Sequence, residues 1–498
     1  MMIDPKTPPQ GTLRDWVEMR AIAGGAGFTF PEGAPDLTWE ELRDTAKAIA
    51  ENLTSRGVKA GESVAIVMPN GRDALNCLFG VLYGGFRATM INLVAGTDAI
   101  SYALDHSDAR FAFVGAAQQA LFDGAAGSEN IQVVDPNQRA GAAVDLHKVT
   151  QQSHALLMYT SGTTGRPKGV VHTQSSLLAG GWTTAVAHQL SNQDRGFCVL
   201  PIYHINGLCV SVMSSLVSGG SLAMCSKFSA STFWANVGQS QATWFSVVPT
   251  IISHLLHSDT EPDNETRSRL RFGRSASAPL SPDVHRAFEA RFDVPIIETM
   301  GLTETAAQIL SNPMPPGERK IGSPGISFGN EVSVLNTDLA EAARGQEGEL
   351  AVRGPNVLLE YLKNEEATSS TFTPDGWMRT GDLARQDEDG YVFITGRLKE
   401  LIIKGGENIA PREIDDALYS HPDVIEAAAF ARPCKVYGER VEAAVALKEG
   451  SSLNEEALTE ICISVVGKFK APDKVHLMDE LPKGPSGKVQ RLKLAEMT

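Results

Sequence analysis

Between residues 37 and 93 the apolar positions change period twice. An amphipathic helical pattern over 39–53 is followed by a strand pattern over 63–68, apolar throughout after Ser63, and a second helical pattern over 74–83, with turn signals at Gly61 and Asn70-Gly71. A strand that is apolar on both faces needs cover on both, and helices alternating with strands supply it, so a mostly parallel α/β sheet is predicted. The rhythm returns. The run at 155–159 opens into a Gly-rich turn, 197–200 leads to a loop at Pro201, and 244–248 ends at Pro249-Thr250 ahead of a helix. Strand-rich segments follow at 331–336, 348–353 and 391–395, and a further α/β pattern runs from Ala410 to the C-terminus. A chain of 498 residues is expected to hold more than one domain. The boundary is placed after Gly396, where a β-hairpin ends and a segment of about a hundred residues, a typical domain size, remains. The predicted fold class is therefore α/β, with a large N-terminal domain of layered α/β subdomains over residues 1–396 and a small α+β C-terminal domain over 397–498.

Charge bounds the partners. Lys plus Arg is 44 against 59 Asp plus Glu, a net −15, so the chain lacks the diffuse basic field that draws proteins to nucleic acid or anionic lipid. Neither partner is expected, although one local basic pocket suffices to hold a phosphate. From 196 to 226 no Asp, Glu, Lys or Arg occurs, long enough on paper to cross a bilayer. Pro201, His204, Asn206 and Gly219-Gly220 inside it mark a buried strand and helix instead. The N-terminus shows no basic patch followed by an apolar run, and the six cysteines form no CxxC pair, so a cytoplasmic protein without a disulfide or metal framework is expected.

The strongest local signal is Tyr159-Thr160-Ser161-Gly162-Thr163-Thr164-Gly165-Arg166-Pro167-Lys168-Gly169-Val170. It follows a buried strand and combines hydroxyls, glycines and cations. Glycine lets backbone N–H groups converge on anionic oxygens, Ser and Thr add donors, and Lys168 or Arg166 adds charge, so the string is a phosphate cradle. The spacing is not that of a G-x-x-x-x-G-K-[ST] loop. By contrast, Gly325-Ile326-Ser327-Phe328-Gly329 fits the G-x-S-x-G pattern of hydrolase elbows, but a strand rather than a helix is predicted after it, so a plain turn is expected there.

The phosphate cradle resembles the signature of the adenylate-forming superfamily, which includes acyl-CoA synthetases, luciferases and peptide-synthetase adenylation domains. Four further blocks are similar and stand in the family's order: Glu298-Thr299-Met300-Gly301-Leu302-Thr303-Glu304, Trp377-Met378-Arg379-Thr380-Gly381-Asp382-Leu383, Gly396-Arg397-Leu398-Lys399-Glu400 and Pro482-Lys483-Gly484-Pro485-Ser486-Gly487-Lys488. The resemblance implies ATP, Mg²⁺ and CoA. It implies nucleotide contacts at Thr160, Ser161, Gly162, Thr163, Thr164, Gly165 and Lys168, an α-phosphate contact at Thr303, a metal carboxylate at Glu304 and ribose contacts at Asp382 and Arg397. It further implies a hinge at Lys399, a loop at Gly405 and Gly406 that meets the thiol arm, a catalytic Lys488 for adenylation, and an acyl-site residue at His204. In this reading residues 1–396 are the AMP-binding domain and 397–498 a swivelling C-terminal domain.

Within the superfamily the chain looks closest to the oxalate–CoA ligase-like branch, on the segments 228–234, 242–251, 311–317 and 354–357. Two residues depart from the pattern. Ala307 stands where that branch carries a histidine, and Met300 where an aromatic residue usually stacks on adenine. The resemblance implies an AMP-forming acid–CoA ligase for a small carboxylic acid with a distal anion, such as sulfoacetate or oxalate, with His204, Asn206, Ser277 and Gln308 as pocket donors. Alternatives are a medium-chain or aromatic acid–CoA ligase and a freestanding adenylation enzyme that loads a carrier protein.

Overall fold

The apolar runs form strands because helices cover both their faces. In the computed structural model, which describes residues 3–160, 167–484 and 489–498, Ser63–Val67 is buried at every position. It lies between Arg87–Met90 and Phe111–Val114, parallel to both. This seven-stranded sheet continues through His154–Thr160 to the antiparallel strands Lys168–Thr173 and Glu360–Tyr361. A nine-stranded sheet faces it, with a parallel centre made of Ser221–Met224, Arg195–Cys198, Trp244–Val247, Phe272–Ser275 and Ile296–Leu302. The helices Trp39–Ser55, Arg72–Gly84 and Gln174–Ala187 pack between the sheets. Ile66 of one sheet, Met224 and Trp244 of the other, and Leu42, Leu78 and Leu177 of the helices share one core. The chain is thus mixed α/β, as expected.

The uncharged stretch is buried in this core. It forms a strand, a π-helix over Asn206–Met213, the short helix Ser214–Ser218 and a further strand. Ser214 and Ser215 donate to the Val210 and Ser211 carbonyls, so their hydroxyls are satisfied locally inside an apolar layer. Among the described residues no helix is long and apolar enough to cross a membrane. Ser327 lies in the two-residue strand Ile326–Ser327 and the strand Glu331–Leu335 comes next, so the surroundings of a nucleophile elbow are absent from this segment.

A third, antiparallel sheet holds Glu331–Leu335, Gly348–Arg353, Met378–Gln386 and Val392–Arg397. The last sheet, Ile402 to Leu477, has its own core around Ile414, Leu418, Val441 and Leu458. Lys399 is exposed in the turn between these two sheets.

Candidate active site

Strand register, not sequence proximity, pairs the first two site residues. Asp382 and Arg397 stand opposite each other on the strands Met378–Gln386 and Val392–Arg397, with Arg397 Nε 3.2 Å from Asp382 Oδ1. Both line a cavity of about 240 Å³. Its walls also include Ser277, Thr299 and Met300 from the large unit, and Arg412, Asp416 and Arg491 from the small one. Burial raises the Glu298 carboxyl at the cavity wall, against the pull of the Arg412 charge. Asp416 is pushed up to about 6, again by burial with Arg412 opposing.

A second corner is built on the strands His154–Thr160 and Lys168–Thr173. Thr160 pairs with Lys168 across them, and the Thr160 hydroxyl donates to the Lys168 carbonyl at 3.5 Å. Lys168 Nζ sits 4.6 Å from the centre of the Tyr361 ring. The Tyr361 hydroxyl donates to Glu304 Oε1 at 2.9 Å. Burial, then the Glu304 charge, pushes the Tyr361 phenol above its ordinary range, which keeps it a donor. Glu304 is the middle residue of a short 3-10 turn, Thr303–Thr305, whose first carbonyl is 2.6 Å from His172 Nε2. Because a carbonyl only accepts, His172 carries its proton on Nε2, and Nδ1 accepts from Ser176 Oγ at 3.1 Å. Burial lowers His172 to about 4, so it is a neutral strut at physiological pH. A carboxylate oriented by a neutral donor is the hard oxygen ligand Mg²⁺ takes alongside substrate phosphates, so the residues present fit that ion.

Three of the pocket residues expected from the sequence meet. Asn206 Nδ2 donates to Ser277 Oγ at 3.1 Å. The Asn206 Oδ1 and Gln308 Oε1 oxygens both accept from the guanidinium of Arg274, at 2.9 and 3.2 Å. Ser277 lines the cavity and holds a φ of 75°, a left-handed conformation uncommon outside glycine. Asn206 opens the π-helix, a feature frequent at functional sites. His204, two residues earlier, stacks edge-on to Tyr203 with ring centres 5.0 Å apart. Ala307 is buried with a φ of 82°.

Gly405 and Gly406 form the turn between Ile402–Lys404 and Glu407–Ile409, at φ of 61° and 87°, outside the cavity lining. Ser161, Gly162, Thr163, Thr164, Gly165 and Lys488 lie outside the described residues. Sequence reasoning missed Arg274, Tyr361 and His172. A signal existed for the first: an arginine between Phe272-Gly273 and Ser275-Ala276, in a strand otherwise suited to burial. For Tyr361 and His172 nothing local marks the role, since each is an ordinary strand residue until its partner arrives from elsewhere in the chain.

Comparison with known proteins gives the same picture at the level of the whole chain. Residues 19–362 match the family model for the AMP-binding enzyme, and residues 413–488 that for the AMP-binding enzyme C-terminal domain. A sulfoacetate–CoA ligase of Cupriavidus necator is 44% identical over 478 residues, 93% of each chain. An oxalate–CoA ligase of Arabidopsis thaliana is 35% identical over 486 residues, 93% of this chain and 94% of that one. The crystal structure of ATP-bound MatB from Rhodopseudomonas palustris superimposes with a TM-score of 0.90 at 29% identity, covering 98% of this chain and 99% of that one. With two family models in order along the chain and the strands that pair Asp382 with Arg397, the Glu304 corner and the cavity assembled in one fold, the chain belongs to the AMP-binding enzyme family, within the adenylate-forming superfamily.

Proposed function

We propose that the acid is a small carboxylate with a distal anion, sulfoacetate foremost and oxalate or a similar dianion next. The reaction class rests on family membership and on relatives that are CoA ligases: the chain is an AMP-forming acid–CoA ligase. The acid carboxylate attacks the α-phosphorus of ATP and pyrophosphate leaves. The CoA thiol then attacks the acyl carbonyl and AMP leaves.

The observation that carries the substrate reading is the polar set that meets the cavity at Ser277: Asn206 bonds Ser277, and Arg274 joins Asn206 to Gln308. A long apolar chain or an aromatic ring against Ser277 would leave the buried Arg274 charge behind it uncompensated, whereas a second anion accepts from the hydroxyl and offsets that charge. The 44% identity to a sulfoacetate–CoA ligase, over 93% of both chains, supports the same choice.

Roles follow from residue chemistry. Asp382 accepts from the ribose hydroxyls and is oriented by Arg397, 3.2 Å away. Thr160, the loop Ser161 to Gly165 and Lys168 hold phosphate oxygens. Thr303 donates to the α-phosphate, and Glu304 would hold Mg²⁺, which when bound would supply positive charge beside the leaving pyrophosphate. Lys488 stabilises charge as the carboxylate attacks phosphorus, and His204 borders the acyl site. Residues 1–396 bind nucleotide and acid. Residues 397–498 swivel about Lys399, so that Gly405 and Gly406 replace Lys488 beside the adenylate for the second half-reaction. These assignments imply a protein that works in the cytoplasm, where ATP and CoA are supplied.

The test is a panel of oxalate, malonate, sulfoacetate, acetate, benzoate and octanoate, assayed by CoA-dependent AMP release. A small dianion is expected to give the highest kcat/KM. If octanoate or benzoate leads, the substrate assignment is wrong and only the ligase class stands.

A further inference from the structure

Arg274 lies in the strand Phe272–Ser275 at the centre of the nine-stranded sheet, and is 1% exposed. Its hydrogen bonds run to Gln308 Oε1 at 3.2 Å, Asn206 Oδ1 at 2.9 Å and Ser246 Oγ at 3.2 Å, all neutral acceptors. No carboxylate among the described residues pairs with it; the ion pairs recorded there involve other arginines. Burial draws the guanidinium down to about 9, and its charge helps burial to hold the neighbouring His188 neutral. A cation kept in the core without a counter-ion is costly, and a well-packed apolar side chain of similar volume would serve the fold at least as well.

What the cation does is set the direction of two amides. It occupies the oxygen ends of Asn206 and Gln308, which leaves their N–H₂ ends to donate elsewhere. Asn206 Nδ2 points to Ser277 Oγ at 3.1 Å, on the cavity wall, and Gln308 Nε2 to the Thr183 carbonyl at 3.4 Å. Through Asn206 the cavity wall at Ser277 is thereby tied to a buried positive charge.

We propose that Arg274 is the positioning residue that makes this ligase select a distal anion: it supplies the missing counter-charge and holds Asn206, and through it Ser277, in place at the cavity wall. The inference rests on the small-dianion reading of the site. A sulfonate or second carboxylate bound at Asn206 and Ser277 completes the charge balance that the folded protein leaves open. A neutral end group of the same shape leaves the cation uncompensated, so discrimination comes from the end group and not from size.

The experiment compares sulfoacetate with methylsulfonylacetate, in which a methyl group replaces the charged oxygen. Wild-type kcat/KM should favour sulfoacetate. Arg274→Met should lower that ratio by roughly 100-fold, the scale of a charge interaction of a few kcal/mol at short range in a partly shielded site. The loss should fall on the KM for sulfoacetate, with the KM for ATP and the turnover of the neutral acid within a few-fold of wild type. Arg274→Lys should recover part of the preference. If Arg274→Met does not fold, Asn206→Asp provides the second variant, because a carboxylate placed against Arg274 neutralises it and should also erase the preference. An unchanged ratio in a folded Arg274→Met or Asn206→Asp protein, or an equal loss for both acids, overturns the proposal. A wild-type enzyme with no preference for any dianion over the neutral acid removes the substrate reading itself, a result separable from failure of Arg274 alone.

Discussion

Tyr361 and His172 show how much of the site depends on groups that touch no reacting atom. The Tyr361 hydroxyl aims the Glu304 carboxylate from 2.9 Å. A hydrogen bond to a charged group contributes about 1.5–3 kcal/mol, so Tyr361→Phe should raise the Mg²⁺ concentration for half-maximal pyrophosphate release by about tenfold or more. Titration of the initial rate with MgCl₂ at saturating ATP checks this; an unchanged midpoint refutes it. His172 acts on the neighbouring carbonyl. Burial holds its folded-state pKa at about 4, below the 6.5 of an ordinary histidine. A depressed histidine contributes stability that is present above the unfolded pKa and is lost as pH falls through the folded one. Wild type should therefore lose on the order of 3 kcal/mol between pH 6.5 and pH 4 through this group, as the shift implies. His172→Asn should flatten that part of the profile, read as denaturant midpoints at pH 7 and pH 4.5 for both proteins. Equal pH dependence in the two proteins would count against the neutral-strut role.

At the scale of elements, the hairpin Ile296–Leu302 and Ala307–Ser311 carries Met300, Thr303, Glu304 and Gln308 and has little room to shift. Its register breaks between Met300 and Gly301, where the strands approach so closely that a Cβ on Gly301 would lie 1.7 Å from the Ala307 carbonyl oxygen. Backbone, not a flexible side chain, is the obstacle. Gly301→Ala should thus cost about 3 kcal/mol or more, within the range of severe single substitutions, and should abolish acid-dependent pyrophosphate release. Thermal unfolding and a single-turnover assay read both effects. A melting temperature within a degree of wild type would show that the hairpin yields more readily than its geometry indicates.

For the whole molecule, the question is how one cavity serves two half-reactions. Among the described residues the small unit is held to the large one by polar contacts such as Ser253 Oγ donating to the Ile425 carbonyl at 2.8 Å, Arg412 Nη1 donating to the Ile394 carbonyl at 2.6 Å, and His257 Nε2 lying 3.3 Å from the Pro422 carbonyl. In this pose Asp416 and Arg491 line the cavity, while Gly405 and Gly406 sit outside it. Polar contact of this kind is what rigid-body rotation exchanges, and the exposed Lys399 turn is the place we propose for it. Lys399→Pro, which fixes φ near −65°, should slow one half-reaction by about tenfold or more while sparing the other. Gly406→Leu should impair thioester formation from supplied acyl-adenylate and leave pyrophosphate release near normal. Pre-steady-state assays of the two halves decide, and normal rates throughout would remove the hinge.

Elements and motifs were legible in the sequence because they are local. Alternating apolar periods specify strands and helices within a dozen residues, and the phosphate cradle, the Thr303-Glu304 block and the Asp382 and Arg397 blocks are each a short run whose residue types already suit their chemistry. Asn206, Ser277 and Gln308 could be named from the sequence, but not the cation that unites them. The contacts that tune the site join residues far apart in the chain: His172 to Thr303 across 131 positions, Arg274 to Asn206 across 68 and Tyr361 to Glu304 across 57. No period or motif spans such distances. Only the stacking of two sheets around shared helices brings those side chains within hydrogen-bond reach, and burial, which exists only once the layers have closed, makes His172 neutral and leaves Arg274 a cation awaiting its anion.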